Sequence, residues 1–143
     1  TPPPEGPPMR PALDVLRLFL HVGSAIVWLG GMVTLAGIAP TLRAIDPDGP
    51  GRATAAFARF AWPAYGILIA TGIWNILSIP AMSTLGIGYQ IALSLKILLA
   101  VASGLGAFIA QSPNAPRAAV PAAQALATLG AAGALLIGVG LLG

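Results

Sequence analysis

The 143-residue sequence contains no cysteine, one histidine and few charges: seven Lys or Arg and four Asp or Glu, together 8% of the chain. Without cysteine, a secreted disulfide scaffold is excluded. A soluble domain usually has about 25% charged residues, so this chain cannot cover itself with a polar surface. The net charge of +3 comes from scattered residues. The sequence has no cluster of basic residues, so it does not indicate a protein that binds nucleic acid.

Apolar residues fill the place of the missing charges. They make up 57% of the chain, and the mean hydropathy is +0.87. No charge occurs between Arg17 and Arg43, between Arg59 and Lys96, or in residues 118–143. Since a helix needs about 20 mostly apolar residues to cross a bilayer, the sequence predicts an integral membrane protein that resides in lipid.

Proline divides the chain into segments. Six of the 14 prolines lie in the first 11 residues, which predicts a disordered tail over residues 1–12. Pro40 and Pro80 end apolar runs, and Pro63 is expected to kink its helix or mark the start of that helix. Residues 13–143 are predicted to form an all-α domain, an antiparallel transmembrane bundle of four helices at about 14–39, 55–79, 88–111 and 121–142.

Arginines near the helix ends predict the orientation. The first and third connections, with the adjoining helix ends, carry Arg43, Arg52, Arg59 and Arg117, whereas the opposite side carries Arg10 and Arg17. Positive residues are enriched in cytoplasmic loops. We therefore expect both termini to lie outside the cytoplasm. The membrane is expected to be the inner membrane of a prokaryote.

Small residues recur at helical spacing in two spans. The first span has Gly23, Gly30 and Gly37, and the fourth has Gly130, Ala134 and Gly138. In lipid, small residues allow helix backbones to approach closely. Both rows therefore predict tight packing, either within the bundle or against other membrane subunits.

Two ionisable residues within the spans are candidates for function. The first and third helices run in the same direction, which places His21 and Lys96 at similar depth in the outer half of the bundle. An ionisable residue in a membrane is costly and marks a functional site by default. Lys96 is expected to face Asn75, Tyr89, a backbone carbonyl or a bound anionic group, or else to snorkel to the interface. Trp28 is expected to line a cofactor pocket or to belong to an interfacial belt.

His21 has three interpretations: a ligand to haem iron or copper, a proton relay, or a helix-packing residue. One histidine is too few for a cage that binds zinc or copper but is enough for five-coordinate haem. Met82, on the same predicted side, would supply a soft copper ligand. The sequence has no Ser/His/Asp set, phosphate loop or paired intramembrane carboxylates. No catalytic residue is therefore assigned, and a non-enzymatic role is favoured.

Three stretches carry a family resemblance: LHVGSAIVWLGGM, ARFAWPAYGILIATGIWN and LGIGYQIALSLKILLA. In this order and spacing they resemble the first three helices of the copper-resistance protein D (CopD-like) membrane domain. The resemblance covers about residues 13–111 and implies a four-helix domain linked to copper movement across the cytoplasmic membrane.

A related group, the haem-binding protoporphyrinogen oxidases of the HemJ type, has a histidine and a lysine at these positions. This resemblance implies that His21 is an axial haem ligand and that Lys96 steadies the substrate or cofactor. Three hypotheses follow. The chain is a CopD-like protein that binds or transports copper or haem b, an accessory subunit of a respiratory or photosynthetic complex, or a haem b-dependent oxidase.

Overall fold

The computed structural model describes residues 1–142. These residues form four long helices and no β-strand, which confirms the predicted all-α fold. The helices are α1 (Ala12–Ile45), α2 (Gly49–Leu77), α3 (Ile87–Gln111) and α4 (Val120–Gly140). A 3-10 turn at Met82–Thr84 lies between α2 and α3. Residues 1–11 have no regular secondary structure and are exposed.

All four helices are long and apolar enough to cross a membrane. Each presents large apolar side chains on the outer surface of the bundle. Examples, one from each helix, are Phe19 (71% exposed), Phe60 (71%), Phe108 (66%) and Leu136 (72%). Helices satisfy their own backbone polar groups, as a hydrocarbon environment requires. The chain is therefore a multi-pass membrane protein.

The first helix continues beyond its predicted end. Pro40 lies inside α1, which runs to Ile45 rather than ending near residue 39. A proline removes one backbone hydrogen bond from a helix interior, but the residues after Pro40 remain helical. Likewise α2 begins at Gly49 rather than near residue 55, so Pro63 lies within α2 and does not mark its start.

A tight turn joins α1 to α2. The Asp46 side chain accepts a hydrogen bond from the backbone N–H of Asp48 at 3.0 Å and forms an ion pair with Arg52. A Cβ atom at Gly49 would lie 2.9 Å from the Leu42 carbonyl oxygen. Because glycine has no Cβ, the two helix ends can meet this closely.

A single π-helical turn, Ile26–Gly30, interrupts α1 at mid-length. It contains Trp28, which is only 1% exposed. A π turn holds more residues than an α turn, so it shifts the faces of the helix on its two sides relative to each other. Nothing in the sequence indicated this turn.

The bundle is built from two helix pairs. α1 packs on α2, α3 packs on α4, and α4 meets α1 at the π turn. Because successive helices are antiparallel, the start of α1, the end of α2, the start of α3 and the end of α4 share one half of the bundle. We call it the terminal half; it is the half that the sequence predicts to be outer.

The small residues of α4 pack against α3. A Cβ atom at Gly130 would lie 2.8 Å from the Leu99 carbonyl oxygen, and one at Gly106 of α3 would lie 2.6 Å from the Ala123 carbonyl oxygen. The two backbones are thus nearly in contact, as in other small-residue interfaces. The α4 row is therefore used for packing within the chain.

The glycine row of α1 behaves differently. A Cβ atom at Gly23, Gly30 or Gly37 would meet no atom of the described residues within 4 Å. The close packing predicted for this row is therefore not made within residues 1–142.

Candidate functional site

His21 of α1 is joined to Thr71 of α2 by a hydrogen bond. His21 Nδ1 and Thr71 Oγ1 lie 2.9 Å apart, and Thr71 is 4% exposed. The Thr71 hydroxyl also donates to the backbone carbonyl of Ile67 at 2.7 Å, with the Leu68 carbonyl at 3.1 Å. Since a hydroxyl has one proton and it is directed to these carbonyls, Thr71 accepts from the His21 Nδ1–H.

This arrangement assigns the neutral tautomer of His21 that carries its proton on Nδ1. The lone pair then lies on Nε2, because the hydrogen bond to Thr71 uses Nδ1. Metal-ligating histidines typically have one ring nitrogen fixed in this way by a second residue while the other binds the metal. Gly72, next to Thr71, lies beside the ring: its Cβ position is 3.6 Å from His21 Cε1, an ordinary van der Waals distance.

Arg17 lies one turn before His21 and ties α1 to the end of α2. It pairs with Asp14 at 3.2 Å and donates a hydrogen bond to Ser78 Oγ. In the sequence, Arg17 contributed only to the predicted orientation. Its helical spacing from His21 was the signal that placed both side chains on one face.

Lys96 of α3 is half-buried and turns toward the last turn of α4. Its Nζ lies 3.0 Å from the position that a Cβ atom would take at Gly138. Free carbonyl groups at a helix C-terminus carry partial negative charge and favour a nearby cation. The hydrogen bonds of residues 1–142 do not join Lys96 to Asn75 or Tyr89, two of its predicted partners. Lys96 lies in the same half of the bundle as His21.

We refer to Arg17, His21, Thr71 and Lys96 as the terminal polar site. Asn75 lies one turn after Thr71 on α2 and is half-buried, and Tyr89 is half-buried in the first turn of α3. Met82 lies in the 3-10 turn and is 39% exposed. No hydrogen bond of the described residues links the Met82 side chain to the imidazole.

Trp28, grouped with this site in the sequence analysis, lies instead in an aromatic core with Trp62 and Tyr65. The ring centroid of Trp28 is 5.2 Å from that of Trp62 and 4.5 Å from that of Tyr65. Trp28 Nε1 donates to Ser103 Oγ at 2.9 Å, and Ser103 donates to the Ala127 carbonyl at 2.6 Å. This chain of bonds joins α1, α3 and α4.

The other two rings bind α2 to α3. Tyr65 donates to the backbone carbonyl of Ala100 at 2.9 Å, and Trp62 Nε1 donates to Gln111 Oε1 at 3.0 Å. Trp62 also packs its ring against Trp28. The aromatic core is closely packed and its polar atoms are paired, so it closes the bundle beyond the terminal polar site.

The donor set of the terminal polar site limits its chemistry. The described residues hold no group of three or more His, Cys, Asp or Glu that could bind a metal ion. A bare copper ion would find one imidazole nitrogen and the repulsion of Lys96. A metal complex that carries negative groups would find one ligand, the imidazole of His21, and one favourable charge, that of Lys96. Two cavities of the bundle, beside Trp62 and beside Phe19, include neither His21 nor Lys96.

Comparisons with protein-family models, with curated proteins and with solved structures found no match for this chain. The resemblance to the CopD-like domain therefore stays a prediction that rests on the three sequence stretches.

Proposed function

We propose that this chain is a CopD-like integral membrane protein that binds haem through His21 in the terminal half of the bundle, with copper as the alternative ligand. The observation that carries the proposal is the hydrogen bond between His21 Nδ1 and Thr71. It leaves Nε2 as a single neutral donor, which is what a five-coordinate haem iron requires.

Charge favours haem over a bare copper ion. Lys96 would attract a haem propionate and repel a free metal cation. No acidic cluster in the described residues offsets that repulsion. An iron porphyrin bound at His21 would supply one-electron redox chemistry. The protein would contribute the ligand, the fixed tautomer and the exclusion of water from the side closed by the aromatic core.

The proposal requires space for a porphyrin ring beside His21. Lys96 already takes up the space beside Gly138, where a Cβ atom would lie 3.0 Å from its Nζ. A bound porphyrin also requires the helix ends of the terminal half to move apart. We expect haem binding to change the accessibility of the terminal half and to leave the aromatic core unchanged.

The test is an absorbance spectrum of the detergent-purified chain, oxidised and reduced, after expression with added haem precursor. We expect a Soret band that His21→Ala abolishes, while circular dichroism shows that the variant remains helical. A parallel titration with copper tests the alternative, with the same variant as control. A folded wild-type chain that binds neither ligand would contradict both forms of the proposal. An oxidase would additionally turn over protoporphyrinogen, and it requires the same haem.

The open glycine row of α1 favours a second candidate, an accessory subunit of a larger membrane complex. Gly23, Gly30 and Gly37 offer a surface for close helix packing that residues 1–142 do not cover. On this hypothesis the chain migrates in native gels as part of a larger complex, and Gly30→Leu releases it. Gly66→Leu, at an exposed glycine of α2 that also has open space, is the matched control.

A further inference from the structure

A groove of about 600 Å³ runs between α1 and α2 on the outer surface of the bundle. Its walls are two helical stripes, each with a spacing of three or four residues. They comprise Phe19, Leu20, Gly23, Ser24 and Val27 of α1, and Arg59, Phe60, Pro63, Ala64 and Ile67 of α2. The groove contains neither His21 nor Lys96, so it is separate from the terminal polar site.

Two polar side chains interrupt this apolar groove. Ser24 is only 7% exposed, yet the hydrogen bonds of residues 1–142 include none from its hydroxyl. Because Ser24 lines the groove, its hydroxyl can donate to an acceptor atom of an occupant.

Arg59 supplies the second polar group, at the end of the groove away from the terminal half. It is exposed, and no ion pair of residues 1–142 includes it, unlike Arg17 and Arg52. Arg59 and Ile67 are eight residues apart on α2, which corresponds to about 12 Å along the helix axis. The groove thus combines a cation at one end, a hydroxyl in its wall and apolar side chains along its length.

We propose that this groove binds one anionic phospholipid. Arg59 pairs with the phosphate, an acyl chain lies over Gly23, and the Ser24 hydroxyl donates to an ester carbonyl of the lipid. Lipid is the occupant that fits because Phe19 and Phe60 flank the groove as exposed side chains of a membrane-spanning surface. The unpaired positive charge selects an anionic headgroup over a zwitterionic one.

Gly23 makes the proposal testable without disturbing the fold. A Cβ atom there meets nothing within 4 Å, and Gly23 lines the groove, so we expect the side chain of Gly23→Leu to fill part of the groove. Gly37→Leu is the matched control, since Gly37 also has open space around its Cβ position and does not line the groove. Arg43→Gln is the control for Arg59→Gln, because Arg43 is an exposed arginine that does not line the groove.

The experiment is native mass spectrometry of the delipidated full chain titrated with phosphatidylglycerol or phosphatidylcholine. We expect one phosphatidylglycerol to bind at least tenfold more tightly than phosphatidylcholine. Arg59→Gln weakens phosphatidylglycerol binding about tenfold and Ser24→Ala about threefold, the range for one charged and one neutral hydrogen bond. Gly23→Leu abolishes the tight site, whereas Arg43→Gln and Gly37→Leu bind as the wild type does.

Equal binding of the two lipids, or unchanged binding in both Arg59→Gln and Gly23→Leu, would overturn the proposal. His21→Ala separates it from the proposed function, because that variant loses haem and keeps its lipid. If the His21 site fails to bind any ligand, the lipid measurement still stands by itself.

Discussion

In the terminal polar site, the hydrogen bonds of His21 with Thr71 and of Arg17 with Ser78 join two helices, whereas in the aromatic core the bonds from Trp28 through Ser103 join three. The polar atoms named in the core are paired with protein partners. The terminal polar site fixes His21 through one ring nitrogen and keeps a cation half-buried. Paired groups hold a bundle together, while unpaired polar groups in a membrane are costly unless they bind something. The first region is therefore the candidate for function and the second for stability.

The largest effect on stability is expected at Trp28 in the aromatic core. Trp28→Ala removes a fully buried ring and the donor to Ser103, and it should lower the free energy of unfolding by about 3–5 kcal/mol. Denaturant titration in detergent, followed by circular dichroism, measures this. Trp74→Ala is the matched control, since Trp74 is 40% exposed and its loss should cost much less. Equal losses of unfolding free energy in the two variants would show that the aromatic core does not stabilise the bundle more than an exposed tryptophan does.

The next largest effect is at the α3–α4 contact. A methyl group at Gly130 would press on the Leu99 carbonyl oxygen at 2.8 Å. Since backbone cannot move aside cheaply, Gly130→Ala should cost about 1–3 kcal/mol of unfolding free energy. Gly37→Ala has open space and should be neutral or stabilising by up to about 1 kcal/mol, because alanine favours helix more than glycine does. The two variants are compared in the same unfolding assay.

The sequence was informative about the spans and less so about their contacts. Long gaps without charge correctly indicated four apolar helices, since charge is what the bilayer excludes. The predicted end of α1 and the predicted start of α2 were wrong. Pro40 suggested that α1 ends there, but the helix continues to Ile45. One lost hydrogen bond does not end a helix when the following turns can still form.

Within the site, the antiparallel order of neighbouring helices was enough to predict His21 and Lys96 in the same half of the bundle. It could not place Trp28. The spacing of seven positions from His21 to Trp28 puts both on one face of α1. Which helix receives each side chain depends on the order of helices around the bundle and on the π turn. The same limit explains the two rows of small residues: both lie at helical spacing, every seven residues in α1 and every four in α4, but only the row on α4 faces a neighbouring helix.

At Thr71 we expect a smaller effect on stability than at Trp28 or Gly130, together with a clear effect on haem binding. Thr71→Val keeps the shape and removes the hydroxyl that fixes the imidazole, so the unfolding free energy should fall by about 0.5–1.5 kcal/mol. Second residues that orient a metal-bound histidine typically contribute about 10–100-fold to metal affinity. Haem titration of the purified variant should therefore show at least tenfold weaker binding. Thr34→Val, which removes a hydroxyl bonded within α1, should leave binding unchanged.

The smallest effect on stability should come from Lys96. Its charge gains from the C-terminal turn of α4, by about 0.3–1 kcal/mol, but that charge is also costly to keep half-buried in a membrane. Replacing Lys96 with methionine, which has a similar length, removes both contributions, so we expect the unfolding free energy to change by less than about 0.5 kcal/mol. Haem affinity should fall about tenfold, because one charge-assisted contact to a propionate is lost. A large loss of stability with unchanged haem affinity would instead make Lys96 a helix-end partner of α4, and the terminal half would then resemble the aromatic core in using its polar groups for packing.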